Sequence, residues 1–183
     1  MGRSVIDTAP TDQGSGALVP SDRLGPLYPV PADLDDDRFR WLFGYWRDRH
    51  HDGLLPARED IDPIDFPHLL GRIYLVEVVR QDEHLRFRFR LWGSRIRGIF
   101  GHDHTGCWLE DIAAPGTLAD IEHALRSCTI EGRPHFWRRP MMVESNEYAA
   151  TRRLVLPLAS DGVTVDMLLG LILEERLESL DTR

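Results

Sequence analysis

Hydrophobic and polar positions along this chain of 183 residues follow two different periods. Within residues 33–52, large apolar side chains recur at the spacing of one helix face. Acidic residues precede this stripe, as at many helix amino termini, and Gly53 follows it. The pattern predicts an amphipathic helix over 33–52 whose stripe packs on a sheet. Its aromatic edge is also a candidate dimer interface, made of Phe39, Trp41, Tyr45 and Trp46.

From residue 72 onward the period changes to two. Residues 72–81 are apolar on both faces, which is typical of a central strand. Residues 84–92 alternate arginine with apolar residues, as a half-buried antiparallel strand does. The apolar positions of this second strand are Phe87, Phe89 and Leu91. The short connection between the two strands predicts a hairpin.

A second helix is predicted after residue 112. Thr117 and Asp120 resemble a capping box at its start, and Gly132 is expected to end it. Its buried stripe consists of Leu118, Ile121, Leu125 and Cys128.

Three further strands are predicted at 134–144, 152–159 and 163–174. The last two are expected to join through a tight hairpin turn at Ser160–Gly162. The final strand is apolar on both faces and should be central, so it is expected to pair with the first strand. The prediction is an α+β fold with a five-stranded antiparallel sheet in the order 2-1-5-4-3. Helices cover one face, and the amino-terminal helix is free to cover the other.

Composition sets the outer limits of this interpretation. Residues 1–32 are rich in proline and glycine without a hydrophobic period, so a disordered or extended tail is expected before a domain at 33–176 and a carboxyl-terminal tail at 177–183. A formal charge of −8 disfavours a general nucleic-acid binder. Two cysteines cannot form a disulfide framework, and no apolar run approaches the roughly 20 residues of a membrane span. A cytoplasmic location without a membrane span is expected.

The segment 93–112 carries the most reactive-looking chemistry. His102, Asp103, His104 and Cys107 fall within six positions, and such side chains bind transition metals or act as acids and bases. Flanking glycines also suit a structural turn between short helices. Metal binding by His102 and His104 is the alternative, but the sequence nearby offers no compact third and fourth ligand. Haem ligation by His102, His104 or His123 is a further alternative.

Three stretches match a known pattern when their spacing is combined: "LPAREDIDPIDFPHLLGRIYLVEV", "FRFRLWGSRIRGIFGHDHTGCWLEDI" and "LVLPLASDG". They resemble a PAS-like family of mostly alphaproteobacterial proteins that was formerly a domain of unknown function. The matching positions are Arg58, Asp62, Pro63, Gly93, Ser94, Gly101, Asp103, Thr105, Gly106, Pro157, Leu158, Asp161 and Gly162. We interpret Arg58 with Asp60 or Asp62 as an ion pair that fixes the turn before the first strand.

The resemblance implies a PAS fold, in which helices after the second strand wall an internal cavity. Candidate pocket residues are Trp92, Ile96, Cys107, Trp108, Phe136 and Met141. The expected function is a non-enzymatic, single-domain sensory or protein-interaction module in cytoplasmic signalling, with its output through another signalling protein and without an obligatory cofactor. A homodimer and a small-molecule ligand remain open. The alternative is a small-molecule, haem or metal-binding protein, or a minor enzyme, that uses the His102–Cys107 cluster.

Overall fold

A computed structural model describes residues 34, 36–82, 84–112, 115–140 and 148–176 of the chain. The predicted tails lie outside these residues. Short 3-10 turns occupy the connection before the first strand. The longer elements, in chain order, are α1 (Asp37–Arg47), β1 (Ile73–Gln81), β2 (His84–Trp92), α2 (Ser94–Phe100), α3 (Leu109–Ile112), α4 (Pro115–Glu131), β3 (His135–Pro140), β4 (Tyr148–Leu158) and β5 (Met167–Arg176).

The five strands form one antiparallel sheet in the order β2-β1-β5-β4-β3, which confirms the predicted order. β1 and β5 pair directly, from Ile73 opposite Leu171 to Glu77 opposite Met167. Both strands are apolar on their two sides because both sides of the sheet are covered. We call the side covered by α1 the outer face and the side covered by α2, α3 and α4 the inner face.

Helix α1 is shorter than the predicted 33–52 at both ends. It begins after Asp36, whose carboxylate accepts a hydrogen bond from the Arg38 amide at 2.9 Å. It ends at Arg47, and the chain then turns through left-handed backbone at Asp52 and Gly53, with φ of 53° and 77°. The Asp36 cap sets the start of the helix, and residues 48–52 lead into this turn instead of continuing the helix.

The stripe of α1 packs on the outer face of the sheet, as predicted. The Phe39 ring meets Phe136 of β3 edge-on at 5.2 Å, and the Trp46 Nε1 donates to the Pro157 carbonyl at 2.8 Å. The proposed interface edge needs correction because Phe39 and Trp46 are fully buried and Tyr45 is only 8% exposed. Of the four interface candidates, Trp41 alone is exposed, at 39%.

A bulge in β2 changes which residues face the helices. Leu75 lies opposite Leu91 while Val76 lies opposite Phe89, so Arg90 has no directly opposing residue. An extra residue reverses the alternation beyond it. Leu91 therefore leaves the face of Phe89, contrary to prediction, and the Trp92 ring contacts the Phe89 ring at 4.9 Å on the inner face.

Helix α4 begins at Pro115, two positions before the predicted cap. Proline suits the first position of a helix, so Thr117 lies inside α4 and the predicted capping box is wrong. The Thr117 hydroxyl instead accepts from Arg139 at 2.7 Å, which ties α4 to β3. Gly132, with φ of 61°, follows the last helical residue as predicted.

The last three strands differ from prediction at their ends. The predicted strand at 134–144 is observed as His135–Pro140, and residues 141–147 lie outside the described part of the chain. β4 begins at Tyr148. The expected tight turn is a longer connection, because the Asp161 carboxylate accepts from the amides of Val163 and Thr164 and keeps them out of the sheet. β5 therefore begins at Met167 rather than Val163.

Candidate ligand site on the inner face

Arg153 occupies the centre of the inner face. It lies on β4, between β5 and β3, with Ile172 and Trp137 as its cross-strand neighbours. Only 6% of the residue is exposed. Its Nε donates to the Thr151 hydroxyl at 3.1 Å. The sheet thus presents a guanidinium, held at one nitrogen, beneath the helices.

The charge on Arg153 has no counter-ion in the described part of the chain. No carboxylate there forms an ion pair with it, and the charged group that acts on it is another arginine, Arg139. Burial lowers the pKa of Arg153 to about 10, and the charge of Arg139 adds to this shift. The guanidinium therefore remains charged at neutral pH, and a buried charge without a partner is unfavourable.

Aromatic rings enclose this guanidinium. Its central carbon lies 5.6 Å from the Phe100 ring centre and 5.9 Å from that of Trp137. The Phe100 ring lies 5.9 Å from Trp92, which extends the aromatic wall towards β2. Contacts at these distances stabilise a cation only modestly and do not neutralise it.

Two tryptophans add further donors to the inner face. The Nε1 atoms of Trp92 and Trp137 are buried and have no hydrogen-bond partner among the described residues. A buried donor without an acceptor costs about 1–3 kcal/mol. We call Arg153, Trp92 and Trp137 the donor cluster. All three side chains can only donate hydrogen bonds, so the cluster suits a ligand that accepts them.

Tyr74 and Cys128 complete the chemistry of this face. The Tyr74 ring lies flat over Gly170, where a Cβ would come within 2.0 Å of its Cζ. Burial raises the pKa of the Tyr74 hydroxyl, so it stays protonated. Burial likewise raises the pKa of the Cys128 thiol, whose Sγ lies 3.9 Å from the Val155 carbonyl. The thiol is therefore a packing group and not a nucleophile.

A PAS domain family model matches residues 36–173, which include α1, β1 to β4 and most of β5. The chain belongs to the PAS domain family. Relatives in this family act as sensory modules in signalling. A search of curated proteins found no match. In the described residues of this PAS domain, no helix is both long and apolar enough to cross a bilayer.

Three solved structures are examples of those similar to this PAS domain. A PAS domain from Colwellia psychrerythraea is 12% identical, with a TM-score of 0.45 over 63% of this chain and 98% of that chain. A sensory box sensor histidine kinase from Vibrio cholerae is 12% identical, with a TM-score of 0.43 over 62% and 92%. A sensory box histidine kinase/response regulator from Burkholderia thailandensis is 11% identical, with a TM-score of 0.37 over 62% and 84%. Assignment to the family rests on the family match.

The predicted pocket residues divide between the two faces of the PAS sheet. Trp92 lies on the inner face and Ile96 of α2 is buried. Cys107 is half-buried and has a free thiol. Phe136 faces α1, so the prediction chose the neighbour of the residue that faces inward, Trp137. Met141 lies outside the described residues.

Trp108 also lies away from the interior. Its ring stacks 4.0 Å below the Arg86 guanidinium, on the arginine side of β2 and opposite Phe87 and Phe89. The Arg86 Nε also donates to Glu110 at 2.7 Å. Trp108 is therefore part of the outer edge of the sheet, and its assignment to the pocket is wrong.

Sequence reasoning missed Arg153, Trp137 and Tyr74. One signal could have found the arginine. Arg152 and Arg153 are adjacent on a strand, so their side chains must point to opposite faces. Because β4 is not an edge strand and the sheet is covered on both sides, both arginines were bound to be at least half-buried.

The histidine segment forms the predicted turn between α2 and α3. Gly101 ends α2 with φ of 83°, and the Asp103 carboxylate accepts from the Thr105 amide at 2.9 Å. This bond lowers the pKa of Asp103. The rings of His102 and His104 are 6.3 Å apart, and the described residues contain no group of three potential metal ligands.

Other family-motif positions fix connections around the domain. Gly93 is required because a Cβ there would lie 2.4 Å from the Gly71 carbonyl oxygen. The Asp62 carboxylate caps the turn that begins at Pro63. Arg58 donates to the Ile61 carbonyl at 2.8 Å and pairs with no carboxylate among the described residues, so the predicted ion pair with Asp60 or Asp62 is wrong. These residues fix the conformation of connecting segments and do not contribute to the inner face.

Proposed function

We propose that this PAS domain is a non-enzymatic sensory and protein-interaction module in cytoplasmic signalling, with its output through a partner protein. The observation that supports a sensory role is the donor cluster on the inner face. A charged arginine and two indole donors without acceptors are unfavourable in a purely structural core. They are favourable where a ligand supplies the missing acceptors.

The helices above the donor cluster provide a route from ligand to surface. Phe100, the last residue of α2, lies against the Arg153 guanidinium, and Thr117 of α4 accepts from Arg139. A ligand that bonds to Arg153 would favour one placement of these helices over another. The domain then works by a population shift between two arrangements of the helices over the sheet.

Trp41 marks the surface that we propose for output. It is the exposed member of the α1 aromatic edge, stacked on Tyr45 at 5.1 Å and edge-on to His68 at 5.5 Å. Aromatic side chains held in place by neighbouring rings are enriched at protein contacts. A signalling partner or a second copy of the chain would bind here.

Cross-linking mass spectrometry in the native host tests this function. Three forms of the full chain are compared: wild type, Arg153→Met in the interior and Trp41→Ala at the surface. We expect the wild type to cross-link reproducibly to a signalling protein or to itself. Trp41→Ala should reduce that cross-link at least about tenfold, as loss of an aromatic anchor does. Arg153→Met should change its yield although the substitution lies on the inner face.

Two results would overturn the proposal. Identical cross-links in all three forms would show that neither the donor cluster nor Trp41 controls an output. Turnover of a small molecule by the purified chain, lost in a His102→Ala and His104→Ala double variant, would instead support the enzyme hypothesis.

A further inference from the structure

The geometry points to a ligand class: we infer that the inner face binds a small monocarboxylate with an apolar body, held by the Arg153 guanidinium. This inference rests on the proposed sensory function and gives its ligand a chemistry. It follows from three features of the inner face, namely its charge, its hydrogen-bonding atoms and its rings.

Charge favours a single negative group. Arg153 is the buried guanidinium of the inner face, and among the described residues no carboxylate is paired with it. Arg139 lies half-buried on the same face and donates to the Thr117 hydroxyl. A monoanion would neutralise the charge of Arg153, whereas a neutral ligand would leave that charge unpaired.

Hydrogen bonding favours a carboxylate among the monoanions. The Nε of Arg153 is bonded to Thr151, and the two terminal nitrogens have no hydrogen bond to a described residue. A carboxylate presents two coplanar oxygens that match the planar fork of a guanidinium. The Trp137 indole lies on the adjacent strand, and its N–H has no acceptor among the described residues, so it offers a further donor on the same face.

The lining favours an apolar body behind the carboxylate. Rings of Phe100 and Trp137 flank the guanidinium, and those of Tyr74, Phe89 and Trp92 contact one another beyond it. A ligand that is surrounded mainly by rings is bound through its apolar part, and the few polar groups orient it. A sugar or other polyhydroxy ligand would leave its hydroxyls against these rings.

Two pairs of probes separate charge from shape. Benzoate is compared with benzamide and hexanoate with hexanamide, because each amide keeps the size of its acid without the charge. Thermal unfolding and titration calorimetry are measured on the full chain after unfolding and refolding remove any bound molecule. We expect at least one acid to raise Tm by about 5–10 °C at a hundred times its Kd, and the matched amide to bind at least about tenfold more weakly.

Variants locate the effect. Arg153→Met should abolish acid binding, and Arg153→Lys, which keeps a charge but not the planar fork, should weaken it about tenfold or more. Arg152→Met is the matched control, because its side chain faces α1, and it should bind the acid as the wild type does. If Arg153→Met does not fold, acid binding by Arg153→Lys is compared with acid binding by Arg152→Met. Weaker binding in Arg153→Lys alone would locate the acid at Arg153.

Several results would overturn the inference. They are equal binding of acid and amide, acid binding that persists in Arg153→Met, equal weakening in Arg152→Met, or no response to either acid. Each leaves the cross-linking test of the sensory function unaffected, since that test does not depend on which molecule occupies the interior. Conversely, selective acid binding with unchanged cross-links would support the ligand class and refute the signalling output.

Discussion

The two faces of the sheet treat neighbouring arginines differently. On the outer face, Arg152 lies 3.5 Å from a carboxylate oxygen of Asp36 and 3.5 Å from one of Glu175. On the inner face, Arg153 lies among rings with no ion pair to a described residue. Adjacent positions on one strand therefore hold a cation that described carboxylates neutralise and a cation that no described carboxylate neutralises.

The tryptophans repeat this contrast. On the outer face, the Trp46 indole donates to the Pro157 carbonyl. On the inner face, the indoles of Trp92 and Trp137 find no acceptor in the described part of the chain. The outer face is therefore a completed core whose residues stabilise the fold. The inner face is unfavourable by itself, as expected of a surface arranged for a ligand.

The largest predicted effect comes from breaking the completed face. Phe39→Ala would remove a fully buried ring that packs on Phe136, and we expect the free energy of unfolding to fall by about 3–5 kcal/mol in urea titrations. Trp41→Ala, on the exposed edge of the same helix, is the control and should cost much less. Equal losses would mean that α1 is not packed on the sheet in this way.

The next test replaces Arg152 and Arg153 in turn by methionine, which keeps most of the side-chain volume. In ligand-free protein, Arg153→Met should leave stability unchanged or increase it by about 1–3 kcal/mol, because it removes a buried charge without a partner. Arg152→Met should reduce stability by about 1 kcal/mol, because two carboxylates lose a neighbouring cation. Urea unfolding of both variants measures the difference. A loss in both would remove the contrast between the faces.

The smallest predicted effect concerns pH on the outer face. The hydrogen bond from Arg38 lowers the pKa of Asp36 from 3.8 to about 2. A group whose pKa is lower in the folded state stabilises the fold above its ordinary pKa and loses that contribution as pH falls towards 2. Asp36→Asn, which also weakens the cap of α1, should therefore cost about 1 kcal/mol at pH 7 and less at pH 3.

Thermal unfolding of wild type and Asp36→Asn at the two pH values measures this. A loss that is the same at pH 3 and pH 7 would mean that the charge of Asp36 contributes nothing. Arg153→Met is a useful second control. An arginine does not titrate between pH 3 and pH 7, so the stability difference between this variant and the wild type should be the same at both pH values.

Much of the fold could be predicted because burial imposes a period on each element. β1 and β5 are apolar on two sides, and that property alone placed them together at the centre of the sheet. The faces were harder to predict. A bulge at Arg90 reverses the alternation in β2, and nothing in the pattern of that strand marks it. Uncertainty about the faces also led to the prediction that Phe136 faces inward, whereas in the structure its neighbour Trp137 lies on the inner face.

The candidate site was less predictable than the fold for a different reason. Histidines and cysteines drew attention to residues 102–107, which form a turn near the surface. Arg153 belongs to a charged pair in a strand, and its importance depends on what the helices and the opposite face place around it. That information comes from tertiary structure. A buried arginine is unusual here because no carboxylate among the described residues pairs with it.

The most direct measurement is a high-resolution crystal structure of the protein purified from its own host without unfolding. We expect a bound molecule with a carboxylate about 2.7–3.2 Å from the Arg153 guanidinium and an apolar part against Phe100 and Trp137. This expectation would be contradicted by a guanidinium neutralised by a carboxylate of the chain itself, or by an inner face in which Arg153 turns outward to solvent.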